Sequence, residues 1–279
     1  MSLKLMYITN RPEIACIAQD AGVDRIFVDM EYIGKSDRQG GMNTVQCHHT
    51  AEDVAGLRKH ICRSELMVRV NPIHDATSKY SSSEEEIDAV IRAGADVVML
   101  PFFKTAAEVK RFIDAVDGRA TVFLLVETPE AADCIDEILS LDGIDEIHIG
   151  INDMSLALGK RFMFELLADG RVERICQKCR DKGIPYGFGG IAALGKGMLP
   201  CEHVIMEHYR LGSERAILSR SFCNCDIVTD LDEIKRIFDQ GLKEIRDYEA
   251  YCAAHPEEWE DNRQLTVDKI LGIAESLKR

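Results

Sequence analysis

The chain has 279 residues, 46% of them hydrophobic, which suits one large domain with a substantial core and argues against wholesale disorder. With 34 Lys and Arg against 48 Asp and Glu, the formal charge of −14 disfavours a nucleic-acid partner or an anionic membrane surface. The opening run 1–9 is too short for a signal peptide, and no apolar stretch approaches the roughly 18 residues of a membrane span, so a soluble, cytoplasmic protein is expected.

From the N-terminus, short β-rich runs alternate with longer amphipathic ones. The pattern predicts strands over 4–9, 25–30, 66–71, 96–100, 121–126, 146–149, 184–188 and 215–219. Helices are predicted over 13–21, 51–62, 84–93, 106–116, 131–139, 162–182 and roughly 201–211. Strand then helix, repeated in this way, implies parallel strands with right-handed crossovers, and eight units close a barrel rather than leave an open sheet. No strand is followed by a Gly-x-Gly-x-x-Gly loop or a P-loop, which disfavours a doubly wound nucleotide-binding sheet. Gly22-Val23-Asp24, Gly94-Ala95-Asp96 and Gly143-Ile144-Asp145 each look like a helix end running into a buried strand.

The expected architecture is therefore a (β/α)8 barrel over 1–229 followed by a helical extension over 230–279. In that extension Leu231, Ile234, Ile237, Phe238, Leu242, Ile245 and Tyr248 recur at helical spacing. His255-Pro256 breaks the run, and Leu265, Ile270, Leu271, Ala274 and Leu277 mark a final helix. These apolar faces suggest a homo-oligomer, either by exchange of the last helix or with both helices packed on their own barrel. Ten cysteines are present, but Cys176 and Cys179 fall in a helical segment without a second ligand pair, so buried free thiols are expected rather than structural zinc.

In such a barrel the chemistry sits at the strand C-termini. Asp29 and Glu31 follow the second strand, Arg69 ends the third, Glu127 the fifth, and Asp153 follows the sixth. Glu127 comes after the apolar run 122–126, and Asp153 lies in the Gly-led turn Gly150-Ile151-Asn152-Asp153. Two carboxylates on adjacent strand ends suit one hard divalent cation, although helix caps and salt bridges explain most such acids. Arg69 reads either as an edge ion pair or as a guanidinium holding a keto or enolate oxygen. His148, mid-strand, fits a hydrogen-bonded core residue. Gly187-Phe188-Gly189-Gly190 is expected as a tight turn or an anion-receiving loop after strand seven.

Val28-Asp29-Met30-Glu31, Val68-Arg69-Val70, Gly94 to Pro101, Val126-Glu127-Thr128-Pro129-Glu130-Ala131 and Gly150 to Gly159 occur in an order that resembles the HpcH/HpaI aldolase/citrate lyase family. The resemblance runs from about Gly22 to Phe222, and its carboxylate interval, 153 − 127 = 26, is the one expected of that family. It implies a metal-dependent (class II) lyase or aldolase acting on a small 2-oxo acid such as pyruvate or oxaloacetate. Glu127 and Asp153 match the positions of the Mg2+ or Mn2+ ligands, and Arg69 matches the arginine on the 2-oxo oxygen. The amides around Asn152 and Asp153 match those that receive the substrate carboxylate, and Asp29 matches an acid of the catalytic water network.

The sequence departs from the family pattern in three places. Tyr32 stands where the aldolases have His after Asp-x-Glu, Leu125 stands where a Gln is frequent, and the segment 33–49 is longer than expected. The proton-exchanging group is therefore expected from that loop, His49 before His48 and Tyr32 third, or else from a water organised by Asp29. A citrate- or malyl-type lyase or synthase using a thioester, and an oxo-acid binder without turnover, are the alternatives.

Overall fold

The computed structural model describes residues 2–34 and 49–277. The chain runs β1 (Lys4–Ile8), α1 (Pro12–Ala21), β2 (Arg25–Asp29), α2 (Ala51–Arg58), β3 (Glu65–Arg69), α3 (Ser83–Arg92), β4 (Val97–Leu100) and α4 (Ala106–Val116). It continues through β5 (Thr121–Val126), α5 (Pro129–Asp133), α6 (Ile135–Ile138), β6 (Glu146–Ile149), α7 (Ile151–Ala157), α8 (Glu165–Ala168) and α9 (Arg171–Asp181). The last elements are β7 (Tyr186–Ile191), α10 (Cys201–Leu211), β8 (Arg215–Leu218), α11 (Leu231–Ala254), a 3-10 turn (Pro256–Glu258) and α12 (Trp259–Ser276). Each strand pairs in parallel with the next, and β8 pairs with β1, so the sheet closes as a (β/α)8 barrel with additional C-terminal helices.

The three Gly-x-Asp phrases do the same work at three corners. Gly22, Gly94 and Gly143 take φ values of 101°, 105° and 92°, reversing the chain after a helix. Two residues later, the Asp24, Asp96 and Asp145 carboxylates accept the N–H of Leu5, Leu66 and Val122 at 2.7, 2.8 and 2.8 Å. Each aspartate thus occupies a donor near the start of the preceding strand, which would otherwise lack an acceptor. Helix starts are equally local: Thr50, Ser82 and Thr105 each form a reciprocal capping box with the acid three residues on.

Residues alternate between the two sides of the barrel wall. Leu5, Ile26, Val28, Leu66, Val68, Val98, Leu124 and their neighbours pack toward the helices. Met6, Phe27, Met67, Val97, Met99, Phe123 and Leu125 form a separate cluster that fills the interior. At the N-terminal end an ionic layer replaces it. Glu146 accepts from Arg25 Nη2 at 2.8 Å and from Arg215 Nε at 2.7 Å, all three side chains being buried. Arg25 also donates to Glu65 at 2.6 Å.

Burial alone would raise the Glu146 pKa, but the bonds to Arg25 and Arg215 overcome it and hold the carboxyl down at about 2. Such a depressed pKa stabilises the fold above the unfolded value near 4.3, and that contribution disappears as pH falls through the folded one. Glu146→Gln, which leaves two buried guanidinium groups with half their acceptor, is expected to cost about 3 kcal/mol at pH 7. Urea denaturation of both proteins from pH 7 down to pH 3 checks this. The gap should narrow only below about pH 4.5.

The structure corrects three expected boundaries. The long helix expected over 162–182 is two, α8 and α9, because Gly170 takes φ 73° between them. The segment 131–139 is split between α5 and α6 at Cys134. Gly187, Gly189 and Gly190 lie inside β7, not in a loop after it. A Cβ on Gly187 would strike the backbone carbonyl of Arg215, so the missing side chain lets β8 approach and Arg215 enter the ionic layer.

Within this chain α11 packs on α1, and α12 packs on α10 and α8. Ile234, Phe238, Leu242 and Ile245 of α11 are buried, whereas Leu265 and Leu271 of α12 are exposed. Every described cysteine is a free thiol, and Cys176 and Cys179 are buried on α9. No described helix is long and apolar enough to cross a membrane.

Candidate active site

Three predicted residues converge at the C-terminal end of β2 and β3. Asp29 and Arg69 are register partners in the parallel pair, so their side chains leave the sheet side by side. Arg69 donates from Nε and Nη2 to the two carboxylate oxygens of Asp29 at 2.8 and 2.7 Å, and its Nε lies 3.4 Å from Glu31. Its guanidinium stands 5.5 Å from the Phe27 ring centroid, on the apolar floor of the mouth. Asp29 and Glu31 are 2% and 1% exposed, so this is a buried ion pair, not an edge one. Burial would lower the Arg69 pKa, yet the charges of Asp29, Glu31 and Glu127 outweigh it and raise it well above the arginine norm.

Glu127 follows β5 directly and is 4% exposed. Its Oε1 accepts the N–H of Phe102 at 3.0 Å. Phe102 holds φ 49°, a left-handed conformation unusual for a bulky residue, and it turns the chain after β4 so that this N–H meets the carboxylate. On the other side lies Gly150, whose N–H bonds Val126 at 2.9 Å as β6 ends. A Cβ at Gly150 would sit 2.6 Å from Glu127 Cβ and 3.0 Å from its Oε2, so only glycine leaves that carboxylate its place.

Gly150 also starts α7, where the sequence suggested only a turn, and Asp153 is in its first helical turn. Asp153 is half-buried and accepts from Asn152 Nδ2 at 3.0 Å; Asn152 itself is exposed. Among the described residues no group of three or more His, Cys, Asp or Glu gathers where one metal ion could be held.

His49 Nδ1 accepts the backbone N–H of Asp29 at 3.1 Å, which ties the residue before the Thr50 cap of α2 to the end of β2. Tyr32 is turned elsewhere: its N–H and that of Ile33 bond Asn71 Oδ1, both at 2.9 Å, and its ring packs 5.7 Å from Tyr80. Asn71 is in turn held by Glu86 at 2.8 Å. Burial, then the charge of Glu86, raise the Tyr32 pKa, which makes the phenol a poorer proton acceptor near neutrality. His48 lies outside the described residues.

Sequence reasoning missed Phe102 and Asn71, and it read Gly150 only as the head of a turn and of a motif. The Pro101-Phe102 break after β4 left a local signal, since a proline there ends the strand, and the glycine at 150 was itself visible. His148 is a core residue, 1% exposed, bonded through Nε2 to Gly189 at 2.9 Å and held neutral by burial with its pKa lowered to about 4.

The HpcH/HpaI aldolase/citrate lyase family matches residues 4–186, more than half of the chain, from β1 into the start of β7. The chain belongs to that family. Membership carries an aldolase- or lyase-type activity in general. Among solved structures, an HpcH/HpaI aldolase from Desulfitobacterium hafniense DCB-2 is 15% identical with a TM-score of 0.58, covering 78% of this chain and 86% of its own. An HpcH/HpaI aldolase/citrate lyase family protein from Burkholderia cenocepacia J2315 is 14% identical with a TM-score of 0.61, covering 84% and 95%. The citrate synthase SbnG is 17% identical with a TM-score of 0.61, covering 84% and 94%. At these identities the likeness concerns the fold alone. A comparison with curated proteins finds no match.

Proposed function

We propose that this family member is a class II carbon–carbon lyase, an aldolase acting on a pyruvate- or oxaloacetate-like 2-oxo acid, with Mg2+ or Mn2+ held by Glu127 and Asp153. The observation that carries the reading is the Glu127 carboxylate, buried at the mouth and kept in place by Phe102 N–H and the side-chain-free Gly150. The donor set fits the ion: two hard carboxylates from neighbouring strand ends, one fully buried and one half-buried, leave the remaining positions to water and substrate oxygens. When bound, the ion would act as a Lewis acid toward the 2-oxo group.

The chain's own residues do the rest. Nε and Nη2 of Arg69 serve Asp29, so Nη1 is the donor for the substrate's 2-oxo oxygen, where negative charge grows as the enolate forms. The first-turn amides of α7 at Asn152 and Asp153, which a helix cannot satisfy internally, suit the substrate carboxylate. The bond to Asp29 changes the expected role of His49. With Nδ1 accepting, neutral His49 carries its proton on Nε2 and acts there as a donor that orients water beside Asp29, not as the base. The reading includes a cytoplasmic location and a homo-oligomer, and the exposed Leu265, Leu271 and Leu277 support the oligomer alone.

Exchange of pyruvate methyl protons for deuterium, followed by proton NMR with and without Mg2+ or Mn2+, tests the assignment. Metal-dependent exchange is expected, and none above the metal–buffer blank overturns it. Exchange on an acetyl thioester but not on pyruvate would move the reading to the citrate or malyl type. His49→Gln should slow pyruvate exchange roughly 10²-fold while keeping the shape of the pH profile. Loss of the profile's acidic limb would restore His49 as the base, and loss confined to Tyr32→Phe would replace it by the phenol.

A further inference from the structure

Outside the proposed site, the loop from β8 to α11 carries Cys223 and Cys225, separated by Asn224. Their sulfurs lie 3.7 Å apart, Cys223 buried and Cys225 half-buried. Tyr7, on the outer side of β1, places its hydroxyl 3.0 Å from Cys225 Sγ and 3.1 Å from the Cys223 carbonyl oxygen. That ring is fixed edge-on against Phe238 of α11 at 4.8 Å. Arg11, just before α1, bonds the Cys225 carbonyl at 3.5 Å. The loop itself is tight: Asn224 Oδ1 accepts Asp226 N–H at 3.1 Å, and the Asn224 carbonyl receives Ile227 and Val228 N–H.

We propose that Cys223 and Cys225 form an oxidation site, at which Cys225 attacks hydrogen peroxide and Cys223 closes a disulfide. In the first step the Cys225 thiolate takes one peroxide oxygen, the O–O bond breaks, and the departing hydroxide leaves as water after gaining a proton. In the second, Cys223 gives up its proton, its sulfur attacks the Cys225 sulfenic acid, the S–O bond breaks, and a second water leaves. Two thiols and one peroxide become one disulfide and two waters: the pair loses two electrons and the peroxide gains them.

The neighbours divide the two sulfurs into attacker and resolver. The Cys223 S–H, donating to Cys225, is the largest influence; burial opposes it, and the Tyr7 hydroxyl and the Arg11 charge assist, while Asp226 works the other way. The result is a Cys225 thiol lowered to about 7, in part a thiolate at neutral pH. Cys223 is pushed up by its bond to Cys225, by burial, and by the charges of Cys225 and Glu233, so it stays protonated until its partner is oxidised. Burial raises Cys179, Cys201 and Cys252 to about 12. Bond formation at about 2.05 Å requires side-chain rotation and a small loop movement, not transport across the fold.

The test uses the full chain, treated with hydrogen peroxide at pH 7, alkylated, and digested with trypsin. The peptide from Ser221 to Lys235 holds both thiols. It should lose two hydrogens before the exposed Cys62 is modified. Cys223→Ser should leave a sulfenic acid on Cys225, captured by dimedone, and Cys225→Ser should leave Cys223 unmodified. In the untreated protein, alkylation of Cys225 should have its midpoint near pH 7, and Tyr7→Phe should raise it by roughly half a unit to one unit. Oxidation of Cys62 first, a Cys225 midpoint at the ordinary thiol value of about 8.5, or a disulfide from Cys225 to any other cysteine would overturn the proposal.

Discussion

Glu127→Gln is expected to lower metal-dependent pyruvate exchange by roughly 10⁴-fold, the largest effect of any single change considered. The substitution is nearly isosteric, and the amide oxygen still accepts the Phe102 N–H that Glu127 Oε1 accepts at 3.0 Å. What disappears is the negative charge, and with it the affinity for a hard divalent ion. The variant should still fold, because the buried volume and that hydrogen bond are kept. Isothermal titration with Mn2+, alongside the exchange rate, separates the readings. Lost binding and lost exchange in a folded protein are expected. Mn2+ affinity equal to that of the unaltered protein would remove Glu127 from the metal assignment, whatever happened to the rate.

The barrel was legible because its corners are locally determined. Gly22-Val23-Asp24 and its two counterparts announce a helix end, a reversal and a strand start within three residues, and in the fold the three aspartates also bond the neighbouring strand. Where tertiary contact overrides local pattern, the reading failed. Gly187, Gly189 and Gly190 resemble a turn by composition, but they lie in β7 because β8 and Arg215 press against that strand. The ionic layer of Arg25, Glu146 and Arg215 was not foreseen either, since its members stand 121 and 69 residues apart in the chain and meet only when the barrel closes. In the candidate site, strand-end position together with the family motifs pointed to Asp29, Arg69, Glu127 and Asp153. The bond from the Phe102 backbone to Glu127 and the closeness of Gly150 to that carboxylate depend on tertiary approach, and His49 reached the end of β2 through a bond that no spacing rule predicts.

Arg69→Lys should reduce exchange by roughly 10³-fold although the positive charge is retained. The reason lies in how the guanidinium is divided. Two of its nitrogens hold both oxygens of Asp29, and a third remains for the substrate oxygen in the proposed pose. A lysine ammonium at the end of a flexible stem can serve Asp29 or the substrate, but it cannot reproduce the planar fork that serves both at once. One of the two bonds that Arg69 makes to the buried Asp29 carboxylate would be lost, so a stability loss of about 1–3 kcal/mol should accompany the kinetic effect. Arg69→Ala checks the division of roles, since it removes the charge as well and should cost more in both respects. If lysine preserved exchange to within about threefold, equivalent to less than 1 kcal/mol, the arginine would be a structural partner of Asp29 alone. The oxyanion would then need a different donor.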